Sequence, residues 1–359
     1  MKKKMKPETK ENLKNIFGSL ISNQRAIDGA RHNRWWVALI MFVISIALPV
    51  IPVTVYNANL SGSSFFSQGM RSFDNTITSF TMDMYEKGIS LEINDHHYME
   101  DTEDKWLTNY TYDLTGVQYA YVNSNTDQYD LLVYFTKETG SDFTASVKDV
   151  IARQYIIGSQ TKYVQSESSE STAPSLYSPT VIILGTERLA AYVFNPNTTT
   201  AYGNVTGDYL HTAVGTKISH FALEESIIPV DVENHTNLAN AAYVKAVTQN
   251  WTNLFNESFL TLRDQNTLFS SLLSLGIYAV LGVFMGLMVF LLTRGKKNIF
   301  HVFTFGDCEK ISSWAMVSPA ILSLILGFIL QQYAVMFFII LLGVRVMWLS
   351  MRQLKPTGR

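Results

Sequence analysis

Long apolar runs recur four times along the chain and dominate its pattern of hydrophobic and polar positions. A helix needs roughly 20 mostly uncharged residues to cross the hydrocarbon core of a bilayer. Runs of about that length lie at residues 35–56, 268–293, 312–330 and 333–350. The pattern therefore predicts a membrane protein with four transmembrane α-helices.

The basic residues that flank these runs predict their orientation. Lys and Arg are concentrated in residues 1–34, 294–311 and 351–359, whereas residues 57–267 carry an excess of Asp and Glu. Cytoplasmic segments next to a span carry the excess of Lys and Arg. We therefore expect both termini in the cytoplasm of a plasma-membrane protein and residues 57–267 outside it. The overall charge of -2 indicates no partner.

The N-terminal segment has its own pattern. Leu13, Ile16, Phe17, Leu20 and Ile21 fall on one side of a helix whose other residues include many basic ones. This is typical of an amphipathic helix on the inner membrane surface. The apolar run that follows begins only at residue 35 and ends in Pro-Val-Thr-Val-Tyr, so we expect an uncleaved anchor rather than a signal peptide.

Residues 57–267 are numerous enough for an independent domain. Helical patterns cover residues 62–87 and 142–154, and "TVIILGTERLAAYVF" predicts a hairpin that turns at residues 185–188. Strand-like runs lie at residues 89–94, 117–123, 130–136, 180–185 and 188–195. Helices and strands do not alternate regularly, which predicts an extracytoplasmic α+β domain inserted between the first and second spans.

Two further segments of this region have distinct patterns. Residues 158–179 are rich in Ser and poor in large aliphatic side chains, which predicts a surface loop. Residues 237–267 place apolar side chains three and four positions apart, which predicts a helical stalk leading into the second span. The single cysteine of the chain lies outside this region, so no disulfide stabilises it.

The stretch "NDHHYMEDTEDKW" contains the metal-ligand candidates His96, His97 and Glu100. Adjacent histidines point to opposite sides of a strand, and no spaced second pair completes a coordination shell. An acidic solvated loop is the favoured interpretation, and we expect no metal and no cofactor. The chain also lacks a Gly-x-Ser-x-Gly elbow and a phosphate-binding glycine loop. The sequence thus predicts a protein that is not an enzyme.

The only cysteine, Cys308, lies in "FGDCEKISSWAMVSP" at the start of the third apolar run. A nucleophilic thiolate needs a nearby base and an electropositive setting, whereas Cys308 is flanked by Asp307 and Glu309. We expect Asp307 to cap the third helix, because a carboxylate interacts favourably with the free amides of a helix N-terminus. Asp307, Cys308 and Glu309 remain the one intracellular cluster that a membrane-embedded enzyme would use.

Small residues predict how the spans pack. Gly282 and Gly286 lie four positions apart on the second span, and such a face lets two backbones approach closely. Ala315, Pro319, Ser323 and Gly327 form a narrow ridge on the third span. We expect these two faces to meet.

Arg345 is the one charged residue within the four runs. A hairpin between the third and fourth spans places it level with residue 318, and Pro319 cannot donate a hydrogen bond to the carbonyl of Ala315. An unpaired carbonyl is costly in hydrocarbon. We therefore predict a structural clasp in which Arg345 donates to Ala315.

The residues "FTFGDCEKISSWAMVSPAILSLILGFIL" and "GVRVMWLSMRQLKP" resemble an uncharacterised family of Gram-positive bacterial membrane proteins, some of which are named maltodextrose utilization protein MalA. The likeness is clearest over residues 295–356 and extends to the arrangement of spans. It implies a plasma-membrane protein associated with maltose or maltodextrin uptake, with a sugar ABC transporter as a partner. It implies no catalytic residues.

Two classes of function follow from these features. The first is a non-enzymatic accessory or sensor protein that contacts membrane lipid and a membrane or envelope protein through its external domain, and that binds no nucleic acid. The alternatives are a membrane-embedded enzyme acting on lipid or glycan and an auxiliary subunit of a transporter complex.

Overall fold

The computed structural model describes residues 18–64, 73–86, 88–101, 119–123, 128–152, 180–194, 201–221, 241–294, 298–352 and 354. The chain divides into two compact units, residues 1–59 with 265–359 (the helical unit) and residues 60–264 (the sheet unit). Leu13, Ile16 and Phe17 of the predicted amphipathic face, and the Ser-rich loop 158–179, lie outside the described residues.

The described helices and strands follow one another in this order: α1 Asn23–His32, α2 Trp35–Ala47, α3 Val50–Ala58, α4 Phe73–Glu86, β1 Leu91–Ile93, β2 Met99–Asp101, β3 Tyr119–Asn123, β4 Gln128–Thr136, α5 at residues 140–152, β5 Thr180–Gly185, β6 Arg188–Phe194, β7 Ala201–Asp208, α6 Ala241–Thr293, α7 Phe305–Ile329 and α8 Ala334–Arg352. Short 3-10 turns lie at Ile218–His220, Ile299–Val302 and Gln331–Tyr333.

Among the described residues, four helical segments are long and apolar enough to cross a membrane, as the sequence predicted. They are Trp35–Ala58, Ala242–Thr293, Phe305–Ile329 and Ala334–Arg352. The first is α2 followed by α3, and the helix is interrupted at Leu48 and Pro49. Proline has no amide hydrogen, so Pro49 and Pro52 each remove a donor from the helical ladder there.

The predicted stalk and the second span form one uninterrupted helix, α6, of 53 residues. No proline occurs in it, and its first glycine is Gly276. The helix therefore continues through the point, near residue 267, where the sequence predicted that a stalk ends and a span begins. Residues 241–264 of α6 belong to the sheet unit and residues 265–293 to the helical unit.

Helix α7 is the central helix of the helical unit, and it packs against α1, α2, α3 and α8. Among the four candidate spans it has the largest buried share, and Trp314, Ala315, Met316 and Ala320 are completely buried. The core of this unit is thus built around α7.

Helix α1, which follows the residues of the predicted amphipathic face, packs inside this core. Ala26, Ile27 and Ala30 are buried in the same cluster as Trp314. Gly29 lies so close to Trp314 that an added Cβ would be 2.9 Å from the indole ring. The apolar face of residues 23–32 is therefore covered by protein.

The sheet unit contains a five-stranded sheet of order β3-β4-β5-β6-β7 and a separate β1-β2 pair. Neighbouring strands of the larger sheet are antiparallel except for the parallel pair β4 and β5. The hairpin predicted at residues 185–188 is confirmed, because β5 pairs antiparallel with β6 across those residues. Strands β2 and β7 were not predicted.

Helices cover both faces of the larger sheet. On one face α5 places Phe143, Val147 and Val150 against the buried side chains of β4, β5 and β6. On the other face the first part of α6 contributes Trp251, Phe255 and other residues to a core shared with α4. Strand β5 is buried along its whole length because both of its faces are covered.

Two glycines let the backbone approach α6 in this unit. A Cβ added to Gly207 would lie 1.9 Å from the carbonyl oxygen of Ser258, and one added to Gly62 would lie 2.3 Å from that of Phe255. Neither site accommodates a larger residue unless main-chain atoms move. Residues 241–264 of α6 therefore pack closely against the sheet and against the segment that precedes α4.

Candidate functional site

A cavity of about 550 Å³ lies in the helical unit beside the start of α7. We call it the foot pocket. It is lined by Trp35, Ala38, Leu39, Phe42, Val283, Thr304, Phe305, Gly306, Asp307, Glu309, Lys310 and Ser313. Its volume falls in the range of roughly 300–1,000 Å³ that is usual for small-molecule sites. The foot pocket is therefore large enough to hold a ligand.

The lining has an apolar and a polar side. Helix α2 supplies the aromatic and aliphatic side chains of Trp35, Leu39 and Phe42, and α6 adds Val283. The first turns of α7 supply two carboxylates, one ammonium and two hydroxyls. An apolar cavity with a few polar groups at one side suits an amphipathic ligand.

A capping box begins α7 at the floor of the foot pocket. Thr304 is the N-cap residue, and its hydroxyl accepts a hydrogen bond from the amide of Asp307. The Asp307 carboxylate in return accepts from the Thr304 amide at 3.0 Å. The N-cap residue of α7 is therefore Thr304 and not, as was predicted, Asp307. Asp307 is the third residue of the helix, and its carboxylate completes the capping box.

Cys308 faces away from solvent. It is completely buried, and its sulfur lies 4.0 Å from the hydroxyl oxygen of Thr293. A thiol that reacts with a substrate has to be accessible to it. The geometry of Cys308 is that of a small buried side chain in the core of the helical unit.

Glu309 is the polar residue of the pocket whose hydrogen bonding is incomplete. Its Oε1 atom is buried and has no hydrogen-bond partner among the described residues. The carboxylate packs on Gly286, where an added Cβ would lie 2.3 Å from Glu309. A buried polar atom without a partner is costly, and such atoms are uncommon in folded proteins.

The glycines of the second span do meet α7, but not at the ridge that the sequence indicated. An added Cβ on Gly282 would lie 2.6 Å from Phe42 and 2.8 Å from Met316. Gly286 meets Glu309, as described above. On the predicted ridge, Ser323 donates to the carbonyl of Ala334 at 3.4 Å, and Gly327 faces Pro52 and Ala334. The ridge thus packs against the first and fourth candidate spans.

Arg345 binds the N-terminal segment, which corrects the predicted clasp. Its Nε donates to Oδ1 of Asn23 at 3.2 Å, and its Nη2 donates to the carbonyl of Ser19. The third nitrogen, Nη1, is buried without a partner among the described residues, so the carbonyl of Ala315 is not an acceptor. Pro319 is present inside α7, yet Arg345 is directed toward α1 instead.

The sequence contains a signal for this junction. Ser19 and Asn23 lie four residues apart, and Asn23 shares the buried side of α1 with Ala26, Ile27 and Ala30. A polar residue on an otherwise apolar buried face requires a hydrogen-bond partner. Arg345, the one charge in the apolar runs, was the available donor.

Two of the metal-ligand candidates of the sheet unit, His97 and Glu100, form hydrogen bonds with protein groups. Nδ1 of His97 lies 3.2 Å from the carbonyls of both Tyr209 and Thr212. The Glu100 carboxylate accepts from the side-chain amide of Asn94. Among the described residues no three His, Cys, Asp or Glu side chains are grouped to hold a metal ion.

His97 instead joins two loops of the sheet unit, residues 94–98 and residues 209–214. Its backbone has a φ of 58°, in the left-handed region that a non-glycine residue seldom adopts. Tyr98, Leu210 and Val214 on these loops are exposed. We call these two loops the tip loops, and their exposed side chains include these apolar ones.

Comparison with known proteins adds no relative to these observations. The chain matches no protein-family model, no curated protein and no solved structure.

Proposed function

We propose that this chain is a multi-pass plasma-membrane protein of accessory or sensory function, without catalytic activity, which presents its sheet unit outside the cytoplasm to another membrane or envelope protein. In this proposal both termini are cytoplasmic. The resemblance noted from the sequence makes a sugar-uptake system, such as an ABC transporter for maltodextrin, the first partner to test.

The observation that carries the proposal is the continuity of α6. At its N-terminal end Trp251 and Phe255 are completely buried in the core of the sheet unit. At its C-terminal end the same helix is one of the four candidate spans. A single element thus belongs both to a folded interaction domain and to the apolar helices, which is the construction expected of a protein that links an external contact to the membrane.

The tip loops are the surface that we propose for the external contact. Leu210 is 55% exposed and Val214 is 48% exposed. Replacing an apolar interface residue by a charged one lowers the affinity for the partner protein, because the carboxylate is then desolvated without a group of opposite charge. We expect Leu210→Asp and Val214→Asp to reduce recovery of the partner.

Orientation is tested by labelling with a membrane-impermeant maleimide. In a Cys308→Ser background, single cysteines replace Tyr98 in the sheet unit and Val302 between the second and third candidate spans; these residues are 41% and 73% exposed. We expect intact cells to label the cysteine at 98 and permeabilised cells to label both. Labelling at 302 but not at 98 in intact cells would overturn the proposed orientation.

The partner is tested by chemical crosslinking in cells followed by purification in mild detergent and mass spectrometry. We expect one envelope or membrane protein to be enriched with the wild type and to be lost with Leu210→Asp. Lys148→Asp, an exposed change on α5, serves as the matched control and should retain it. Equal recovery with all three proteins would contradict a role for the tip loops.

The foot pocket favours a second candidate, an enzyme acting on lipid or glycan or an auxiliary transporter subunit. Glu309 is its strongest support, because its carboxylate has an atom without a partner and lines a cavity. Separate alanine substitutions of Asp307, Cys308 and Glu309 test the enzyme. Loss of the cellular function at unchanged protein level would support it, whereas retained function in all three would exclude it.

A further inference from the structure

We propose that the foot pocket binds a phospholipid whose head group carries a primary amine. The amine binds the Glu309 carboxylate, the phosphate lies near Lys310 and the first turn of α7, and an acyl chain follows the apolar side of the pocket. This inference goes beyond the proposed function and does not depend on a partner for the sheet unit.

The carboxylate of Glu309 is the observation from which the ligand chemistry follows. The side chain lines the cavity, and its Oε1 is buried against Gly286 without a hydrogen-bond partner among the described residues, so a cation at the cavity side of the carboxylate offsets a charge that this oxygen shares. A primary ammonium group supplies N–H donors and a positive charge, and charge-assisted hydrogen bonds are the strong ones. A quaternary amine has the charge but no N–H to donate. The site should therefore distinguish the two.

The same floor also suits a phosphate. Lys310 lines the pocket one position after Glu309, and Phe305 and Gly306 contribute the first two residues of α7 to its lining. Amides at the first turn of a helix have no intrahelical acceptor, and they favour an anion. Asp307 also lines this floor, but its carboxylate accepts hydrogen bonds from the amide and hydroxyl of Thr304. Glu309 and Lys310 are therefore the negative and positive groups, on adjacent residues, that complement a zwitterionic head group.

The apolar side of the pocket suits an acyl chain rather than a soluble amine. Leu39 is 49% exposed, and it lies on α2 beside Phe42, which also lines the cavity. Trp35, at the start of α2, is exposed and lines the cavity too. Tryptophan is enriched at the level of lipid head groups. The polar floor and the apolar side therefore match the two parts of a lipid.

The test is a lipid competition read by native mass spectrometry of the full chain in mild detergent. Phosphatidylethanolamine, phosphatidylcholine and phosphatidylglycerol with identical acyl chains are added in equal amounts, and the retained lipid is counted. We expect wild type to retain phosphatidylethanolamine about tenfold more than phosphatidylcholine, the value for one hydrogen bond to a charged group.

Substitutions locate the binding at the foot pocket. Glu309→Gln should abolish the preference for phosphatidylethanolamine over phosphatidylcholine, and Lys310→Gln should weaken retention of both lipids. Gly306→Phe should block all binding, since an added Cβ there meets nothing nearer than the Thr304 hydroxyl at 3.8 Å and the ring can fill the cavity. Gly343→Phe is the matched control, at a position on α8 with open space around it.

The possible results distinguish selective lipid binding at the foot pocket from its absence. Selective retention by wild type that is lost in Glu309→Gln, at unchanged thermal unfolding in detergent, supports the site. Equal retention of all three lipids by wild type, a preference for phosphatidylglycerol, or an undiminished preference in both Glu309→Gln and Gly306→Phe would overturn it.

Discussion

The junction between Arg345 and α1 offers the sharpest test of the structure. Arg345 is 8% exposed, and its hydrogen bonds from Nε and Nη2 go to Asn23 and Ser19. A hydrogen bond to a charged group contributes about 1.5–3 kcal/mol, and a buried donor that loses its acceptor has a similar cost. Asn23→Leu should therefore lower the free energy of unfolding by about 2 kcal/mol.

The double variant distinguishes this junction from loss of packing. Arg345→Met leaves Asn23 without its donor and should cost about 1–3 kcal/mol. When both partners are replaced by apolar residues of similar size, neither buried polar group remains unpaired. The Asn23→Leu, Arg345→Met protein should hence be more stable than the sum of the single effects implies, by about 1–3 kcal/mol.

The measurement is unfolding by denaturing detergent, followed by circular dichroism, for wild type and the three variants. Asn33→Ala combined with Arg345→Met is the control pair, because Asn33 lies just after α1 and donates to the carbonyl of Gly29 at 2.9 Å. That pair should be additive. A coupling below about 0.5 kcal/mol between Asn23 and Arg345 would refute the junction, as would the same coupling in the control pair.

Three further substitutions test other close contacts. Gly282→Ala should lower the midpoint of thermal unfolding in detergent, because its Cβ would lie 2.6 Å from Phe42 and overpacking costs about 1–3 kcal/mol. Gly276→Ala on the same helix has open space and should leave the midpoint equal or higher. Gly207→Ala should make the sheet unit sensitive to protease, because its Cβ would lie 1.9 Å from a main-chain oxygen of α6. Thr304→Ala should cost about 1 kcal/mol by removing the cap of α7, measured in the same thermal assay.

Each of these has a clear contrary result. Equal unfolding midpoints for Gly282→Ala and Gly276→Ala would show that Gly282 of the second candidate span does not lie close to Phe42. Undiminished protease resistance in Gly207→Ala would contradict the close packing of α6 on β7. A Thr304→Ala protein as stable as wild type would mean that the capping box contributes nothing.

The structural features that the sequence predicted correctly depend on residues that are close together in the chain. The four apolar runs become helices because length and composition alone decide whether a segment is apolar enough to cross a bilayer. The β5-β6 hairpin was predictable because β-branched residues flank a short turn. The Thr304 cap was not predicted, although it corresponds to a Thr-x-x-Asp pattern between neighbouring residues.

What the sequence did not predict depends on residues far apart in the chain. Strand β7, "AYGNVTGD", contains two glycines, which weaken a strand pattern, yet it pairs with β6, and Gly207 lies against the main chain of α6. The foot pocket is formed by α2, α6 and α7 together, so no single segment carries its pattern. The acceptors of Arg345 lie 322 and 326 residues away on the N-terminal segment, whereas the predicted acceptor lay on the adjacent span.

The junction at Arg345 also has a consequence for the order of folding. Asn23 and Arg345 are separated by 322 residues, so their contact closes almost the largest loop that this chain can form. Contacts of such separation form late, because the entropy of loop closure opposes them until other structure has brought the two residues together. Helix α1 is synthesised well before α8 but cannot bury Asn23 with its donor until α8 is in place. A hydrogen bond at the side-chain amide of Asn23 is therefore a marker for the assembly of α8.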